Sequence, residues 1–408
     1  MTAEATPAEA PAPPRATTAP DRAGLAMLAT GHFAIDMCVG ALPAFLPAFT
    51  ALYALSDLAA AMILGASLLA SSAIQPLFGL LADRRAAPAF LWGGVAVAAV
   101  GLAAAGLAGG YAGVLACIVG SGFGVAAFHP EAARVANRIS GERTSTGLAW
   151  FMVGGNAGFA AGPLLAAVAI PFLDERATLV FLVPGLAVAG ALFARRGRLA
   201  AAVAPPAPAE RRAAREAAHV PGVGLLLVVT TLRTWLQFGL LALVPLLLTD
   251  SRGYSDGAVG VVVFAFAAAG AVGTVAGAAI AERVGGRRML VWTLPPAAPA
   301  VAGFLLLDGT AAIAMLVLAG AIGMASFSVT VAMAQEYLPG RLALAAGLMI
   351  GFGAIGSAPP GLALFGAIAD LTSRETAIWG LAALPLIAGV LATALPAPRA
   401  VRSKEAIA

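Results

Sequence analysis

The chain has 408 residues, of which 61% are hydrophobic and only 11% are charged, and its mean hydropathy is +0.93. A soluble protein of this length needs far more polar surface to cover its core, which excludes a water-soluble enzyme or binding domain. The net charge of +4 does not point to nucleic acid either, because the arginines flank apolar runs as membrane topology alone requires.

The first 20 residues are rich in Ala, Pro and Thr and lack the apolar core of a cleavable signal, so a disordered tail is expected there. The apolar runs that follow have the length that a hydrocarbon layer of about 30 Å demands. Backbone groups in lipid must pair internally, and the runs are apolar all round rather than alternating, so they are helices and not barrel strands. Twelve spans are expected, at about 24–49, 58–82, 88–108, 111–136, 146–171, 177–195, 222–249, 257–281, 289–307, 311–335, 342–368 and 376–395. Cys38 and Cys117 both fall in such runs, which leaves no disulfide scaffold and no Cys-rich metal site.

Of the 24 basic residues, all but Arg176, Arg252, Arg374 and Arg233 fall on one side of this arrangement. Arg233 lies inside a span. The Arg-rich side is therefore expected to be cytoplasmic, with both termini inside the cell. Residues 196–221 form the longest polar stretch between spans and divide the chain six plus six. The expected organisation is a cytoplasmic tail (1–20), a six-helix bundle (21–195), a linker (196–221), a second bundle (222–398) and a tail (399–408). Pro205, Pro206 and Pro208 are expected to keep the first part of the linker extended, and ERRAARE to form a short surface helix. His219 is expected to be solvated.

The halves repeat. A shift of about 198 residues places Gly24 on Gly222, Pro47 on Pro245 and Gly79 on Gly277, and sets GLLADRR (79–85) beside GAAIAERVGGRR (277–288). Duplicated halves of six helices are a transporter signature, with substrate bound near the midplane between them.

Charges inside spans cost about 2.5–3.5 kcal/mol each on insertion scales and need a reason. Asp36 lies mid-way along the first span and Arg233 at the equivalent depth of the seventh. Two kinds of reading are open: a structural one, as a buried Asp–Arg pair or as separate pairs with backbone groups, or a cavity in which Arg233 attracts an anion and Asp36 takes a proton. His32 precedes Asp36 by four residues and shares its helix face, where it either assists proton transfer or bonds a helix carbonyl. Gln237 follows Arg233 by four and extends the polar face; Trp235, between them, lines the cavity or packs. His129 and Glu131 lie in the last third of the fourth span. Being two apart they face different ways, which argues against a shared metal site, and no metal is expected. Pro130 is expected to kink or break the helix. Glu131 and Arg134 are three apart and can pair, either as an ion pair that lets Arg134 snorkel or as a gate or proton site.

Asp83 with Arg84, and Glu282 with Arg283, sit at helix ends on the Arg-rich side together with Arg287 and Arg288. Both signs at a tight loop suggest a charge clasp between helices. The pairs Gly120/Gly124, Gly158/Gly162, Gly273/Gly277 and Gly347/Gly351 are expected to let helices approach closely. GFGAIG (351–356) spells a dinucleotide fingerprint but has no strand before it. His129 and Glu131 match the HxE of zinc deaminases without the required PCxxC. The third, sixth, ninth and twelfth spans carry no central charge and are expected to face lipid.

These features resemble the major facilitator superfamily over residues 21 to 398. GLLADRR and GAAIAERVGGRR are similar to its loop motif. The first copy lacks the later Gly and basic cluster, and the second has Glu282 in place of Asp. GGNAGFAAGP (154–163) resembles the fifth-helix motif of antiporter branches, with Gly158, Gly162 and Pro163 in place. Within the superfamily the chain is most similar to the fosmidomycin resistance group, through GHFAIDMCVGALPAFLPAF (31–49), QPLFGLLADR (75–84), AFHPEAARVA (127–136), FMVGGNAGFAAGPLLA (151–166), LRTWLQFGLLALVPLLL (232–248) and AQEYLPGR (334–341). That resemblance implies proton-driven export of a small phosphonate across a bacterial cytoplasmic membrane.

The expectation is thus an all-α membrane protein of twelve helices in two pseudo-symmetric bundles. It is a secondary transporter, most simply a proton-coupled exporter of small anionic or amphiphilic compounds. The rivals are a proton symporter importing a sugar or organic acid, and a non-transporting membrane sensor or enzyme. Proton-coupling candidates are Asp36, His32, Glu131 and His129; substrate-binding candidates are Arg233, Trp235, Gln237 and Asn156. Asp83, Arg84, Glu282, Arg283, Arg287, Arg288 and Arg134 are gating candidates. The expected partners are a small molecule, protons and the lipid bilayer, with no nucleic acid and no cofactor; the oligomeric state is left open, a monomer included. No ATP-binding motif appears.

Overall fold

The computed structural model describes residues 19–55, 57–85, 87–203 and 218–396. Apart from residues 19 and 20, the expected tails lie outside them, as does the Pro- and Arg-rich part of the linker at 204–217. Every described span is helical. We number the spans α1 (Arg22–Tyr53), α2 (57–84), α3 (Ala89–Ala105), α4 (Tyr111–Ile139), α5 (Thr144–Leu173), α6 (Leu182–Ala194), α7 (Val220–Asp250), α8 (Asp256–Val284), α9 (Gly286–Leu306), α10 (Gly309–Tyr337), α11 (Leu342–Leu371) and α12 (Arg374–Ala392).

Among the described residues ten stretches are long and apolar enough to cross a membrane. One of them, Thr144–Ala194, has 51 residues, enough for two crossings, and bends through a 3-10 turn at Asp174–Phe181. With the shorter α3, this fits the twelve spans expected.

Several spans are broken where a continuous helix was expected. α2 passes through a π-turn at Leu69–Ala73 just before Pro76. α9 is interrupted between Thr293 and Ala297, at Pro295 and Pro296. α11 is π-helical over Gly347–Gly356, ahead of Pro359 and Pro360. In each case proline removes a backbone donor and crowds the carbonyl one turn back, so the break falls on its N-terminal side. The GFGAIG stretch lies in this π-helical segment and not after a strand. Pro130 behaves differently: α4 runs unbroken through it to Ile139, so the expected break is absent. Ahead of the linker prolines, which lie outside the described residues, Arg196–Val203 is helical, as its Arg, Leu and Ala content favours. Arg198 holds this helix to the N-cap of α1, forking onto Asp21 at 2.7 and 3.1 Å. That contact keeps the Asp21 carboxyl below the usual carboxylate range.

Glycine sets how closely α5 meets α1. A Cβ at Gly154, Gly158 or Gly162 would come within 2.2, 2.1 or 2.3 Å of the carbonyls of Ala29, Phe33 and Met37. Three glycines at four-residue spacing thus lie along one face of α1. Gly273 and Gly277 stand the same way against Ala321 and Ala325 of α10, and Gly347 and Gly351 against Gln75 and Ser72 of α2. Gly124 packs on α3, but Gly120 meets nothing, so that pair does not form the expected contact. Gly158→Val is expected to destabilise the protein by at least the ~1–3 kcal/mol typical of overpacking, since the obstacle is backbone. Thermal unfolding in detergent measures this; a wild-type midpoint would remove the close contact.

The apolar core shows how the halves meet. One cluster joins both halves at the Arg-rich end, running from Leu25, Val135 and Phe151 to Val223, Met333 and Ala346. At the opposite end the core separates. One cluster there draws only on the first half, from Met37 to Phe181, and another only on the second, from Leu236 to Leu384. The halves therefore pack together at the Arg-rich end and have independent cores at the other.

Candidate functional site

The polar residues of the first half gather on α1 and α4. His32 and Asp36, one turn apart, share a face of α1, with His32 Nε2 3.2 Å from the Asp36 carboxylate. His129 of α4 reaches the same carboxylate at 3.2 Å, and its Nε2 lies 3.0 Å from that of His32. The other ring nitrogens are held by backbone carbonyls: His32 Nδ1 by Phe151 at 2.8 Å and His129 Nδ1 by Val125 at 2.8 Å. Carbonyls only accept, so both Nδ1 atoms carry hydrogen. His32 also stacks on the Phe151 ring, with centroids 4.1 Å apart. Both imidazoles are buried, while the Asp36 side chain keeps 21% of its surface exposed. Gly155 of α5 makes room for the cluster, since a Cβ there would meet both His32 and Asp36. Asn156, next in sequence, is half-buried.

Sequence reasoning paired His32 with Asp36 but left His129 at the far mouth with Glu131. The two do face apart, as their spacing requires, but His129 joins α1. The available signal was that only three histidines occur in the chain and two of them lie in apolar spans. Glu131 instead accepts from its helical neighbour Arg134, at 2.8 Å from Nε and 2.6 Å from Nη2. Arg134 does not snorkel: it is 1% exposed and Glu131 is 0% exposed. A buried carboxylate holds the guanidinium, and the α4 surface around it is covered.

Arg233 of α7 stands apart from Asp36. The residue is 3% exposed, and its guanidinium donates to Thr234 Oγ1 at 3.2 Å and to the Met324 sulfur at 3.4 Å. It lies 5.0 Å from the Phe327 ring centre. Its Nε has no hydrogen-bond partner, and among the described residues no carboxylate pairs with it. The Asp–Arg pair considered from the sequence is thus not formed. Gln237 is buried beside Gly323 of α10. Trp235 is tied to α11, donating to the Ser357 carbonyl at 2.7 Å and covering Gly361.

The Arg-rich end is closed by a pair of pseudo-symmetric contacts. Asp83, at the end of α2, accepts from the backbone N–H groups of Ala343 and Leu344 at 3.0 and 2.8 Å. Glu282, at the end of α8, accepts from the N–H of Thr146 at 3.2 Å. Each carboxylate thus caps the first turn of a helix in the other half, where unpaired N–H groups and the helix dipole favour negative charge. This corrects the expected clasp: Arg84 and Arg283 are exposed, and among the described residues neither pairs with its neighbouring acid. Arg288 is exposed too, and Arg287 donates to the Thr393 carbonyl.

Between these caps, Asn137 donates to Gln335 at 2.8 Å, and Gln335 donates onward to the carbonyls of Ala133 and Leu342 at 3.3 and 3.2 Å. Neither residue was singled out from the sequence, yet they are 198 positions apart, the repeat shift itself. Asp83→Asn with Glu282→Gln is expected to loosen this closure. Cysteines placed at Arg-rich-end positions between the halves would then label faster in membranes. Unchanged labelling would exclude the caps as latches.

Comparison with known proteins agrees with this architecture. The family model of the Major Facilitator Superfamily matches residues 28–359 and 227–408. The Fosmidomycin resistance protein of Escherichia coli (strain K12) is 32% identical over 389 residues, covering 91% of this chain and 92% of that protein. The uncharacterized MFS-type transporter YfnC of Bacillus subtilis (strain 168) is 28% identical over 387 residues, with 91% and 92% coverage. The solved structure of the transporter FucP in its outward conformation matches with a TM-score of 0.70 at 14% identity, over 90% of this chain and 97% of that one. A sequence match of this extent, on a helical bundle of this design, means that the chain belongs to the Major Facilitator Superfamily and is a multi-pass membrane transporter.

Proposed function

We propose that this transporter is a proton-coupled exporter of small anionic or amphiphilic compounds, fosmidomycin-like phosphonates among them. The observation that carries the reading is the division of charge. A carboxylate flanked by two imidazoles is embedded in the first half, and in the second a buried guanidinium that has no carboxylate partner among the described residues. Arg233 receives the substrate's negative group, since a planar guanidinium suits phosphonate oxygens. Asp36, with His32 and His129, takes the incoming proton. Gln237 and Asn156 supply polar contacts at similar depth, and Trp235 shapes the wall by fixing α7 on α11. Glu131 and Arg134 serve the closed Arg-rich end, next to the Asp83 and Glu282 caps. The separate cores at the other end fit a cavity open away from the Arg-rich face.

In this reading the protein sits in a bacterial cytoplasmic membrane with the Arg-rich face and both termini inside. The bundles at 21–195 and 222–398 rock about the linker. The full-length similarity to a fosmidomycin resistance protein supports export over uptake.

The test is fosmidomycin accumulation in inside-out vesicles, with and without an imposed proton gradient, against vesicles lacking the protein. Gradient-driven accumulation is expected. Asp36→Asn is expected to abolish it with membrane insertion intact. Normal accumulation by that variant would take Asp36 out of the coupling step, and movement with the proton rather than against it would make the protein a symporter.

A further inference from the structure

The Asp36 cluster has a property that proton coupling does not require. With both Nδ1 atoms spent on carbonyls, each neutral imidazole presents a lone pair at Nε2. These two lone pairs converge on each other at 3.0 Å, and on the two oxygens of one carboxylate at 3.2 Å each. Three donors aimed at one point repel unless a cation sits among them.

A tetrahedral zinc-type ion with bonds of 2.0–2.2 Å sets its ligands roughly 3.3 Å apart. Here the two nitrogens are 3.0 Å apart, each is 3.2 Å from a different oxygen of Asp36, and one ligand atom from each side chain lies within 4.8 Å of the others, so side-chain adjustment alone brings the set to that size. Its supporting contacts are also those of a metal site. A ligating histidine donates its other N–H to a carbonyl, which fixes the tautomer and the ring direction, and both histidines do so here. His32 is further locked by its stack on Phe151. Gly155 leaves the space a side chain would fill, and the partly exposed edge of Asp36 provides the entry. Among the described residues this is the one group of His, Cys, Asp and Glu whose ligand atoms converge in this way.

We propose that His32, His129 and Asp36 form a binding site for a single divalent transition-metal ion of the zinc and cobalt type. Two imidazole nitrogens select such ions over Mg2+ and Ca2+, which prefer oxygen ligands. One carboxylate leaves the bound ion with net positive charge, and its remaining coordination positions face the exposed edge of Asp36. There an oxygen-rich anion can complete the shell. Metal and proton occupy the same point and exclude each other.

The site is tested by binding alone, independently of whether the efflux reading holds. The protein is purified through a histidine-free tag, stripped with chelator and titrated with Co2+ in detergent. One Co2+ per chain is expected to survive gel filtration and to give the visible ligand-field band of a four-coordinate N/O site. Zn2+ displaces it and Mg2+ does not. Loss of a supporting partner costs about 10–100-fold in metal affinity and loss of a ligand at least as much, so Asp36→Asn and His129→Asn each weaken binding by that factor or more. His219→Ala, which alters the one histidine outside the site, leaves binding unchanged. Asp36→Asn is isosteric, and its thermal midpoint shows that the fold is retained. No retained Co2+ in the wild type, or equal retention by the Asp36→Asn/His129→Asn double variant, overturns the proposal.

Discussion

Arg233→Met is expected to abolish transport and to leave the fold as stable as the wild type, or more so. The two halves of this prediction have one cause. A guanidinium has five N–H donors and loses its hydration on burial, a cost that only good partners repay. Here the partners among the described residues are poor: a threonine hydroxyl, a thioether sulfur and an aromatic face, with Nε unpartnered and no carboxylate paired with it. Replacing a buried charge by an apolar side chain of similar length removes the desolvation cost and keeps the contacts with Met324 and Phe327. A residue that destabilises the protein where it stands is retained for something other than folding.

The functional loss is large because the interactions at stake are charge-assisted. Each hydrogen bond to a charged group contributes about 1.5–3 kcal/mol, so removing a fork that makes two of them weakens substrate binding by a hundredfold or more. Arg233→Lys separates charge from shape: it keeps the attraction, loses the bidentate geometry and falls between the two. Parallel measurement of vesicle accumulation and detergent melting decides the matter. If Arg233→Met melts well below the wild type, Arg233 is a structural residue and the anion site lies elsewhere.

The fold was legible because membrane helices declare themselves by length and apolarity. The repeat was legible because Gly24/Gly222, Pro47/Pro245 and Gly79/Gly277 keep one shift, with Glu282 within a residue of the Asp83 equivalent. Helix breaks were less visible. The hydropathy of α2, α9 and α11 is continuous through Pro76, Pro295 and Pro359, and whether a proline breaks a helix depends on what replaces the lost bond. Pro130, in the well-covered α4, breaks nothing. At the site, contacts within one helix were readable: His32 with Asp36, and Glu131 with Arg134. Contacts between helices were not, since no spacing rule joins residue 129 to residue 36. The capping roles of Asp83 and Glu282 were hidden for a related reason. Their partners are backbone N–H groups of the opposite half, which every residue carries and no motif marks. Asn137 and Gln335 show that the internal repeat held more than was drawn from it, because the shift applied to Asp36 and Asp83 also pairs these two uncharged residues directly.

Glu131→Gln is expected to cost about 3–5 kcal/mol of stability, the loss typical when one partner of a buried ion pair is removed. The exchange is isosteric, so packing is unchanged. What changes is that Arg134, at 1% exposure, loses the anion that both Nε and Nη2 face. Its surroundings on the other side are the closure between the halves, where it lies within electrostatic reach of Asp83. Loss of the Glu131 charge there does two things at once. It raises the energy of the closed Arg-rich end, and it lets Arg134 draw on the carboxylate that caps α11. The variant is therefore expected both to melt earlier and to spend more time open at that end, so thermal unfolding and cysteine labelling should shift together. Replacing both partners, Glu131→Gln with Arg134→Met, removes the guanidinium together with its carboxylate and recovers most of the melting loss. If the closed end depends on the ion pair itself, labelling in the double variant stays fast although stability returns. If labelling also returns to the wild-type rate, the pair is a passive filler of the α4 core, and the gate rests on Asp83, Glu282 and the Asn137–Gln335 bridge alone.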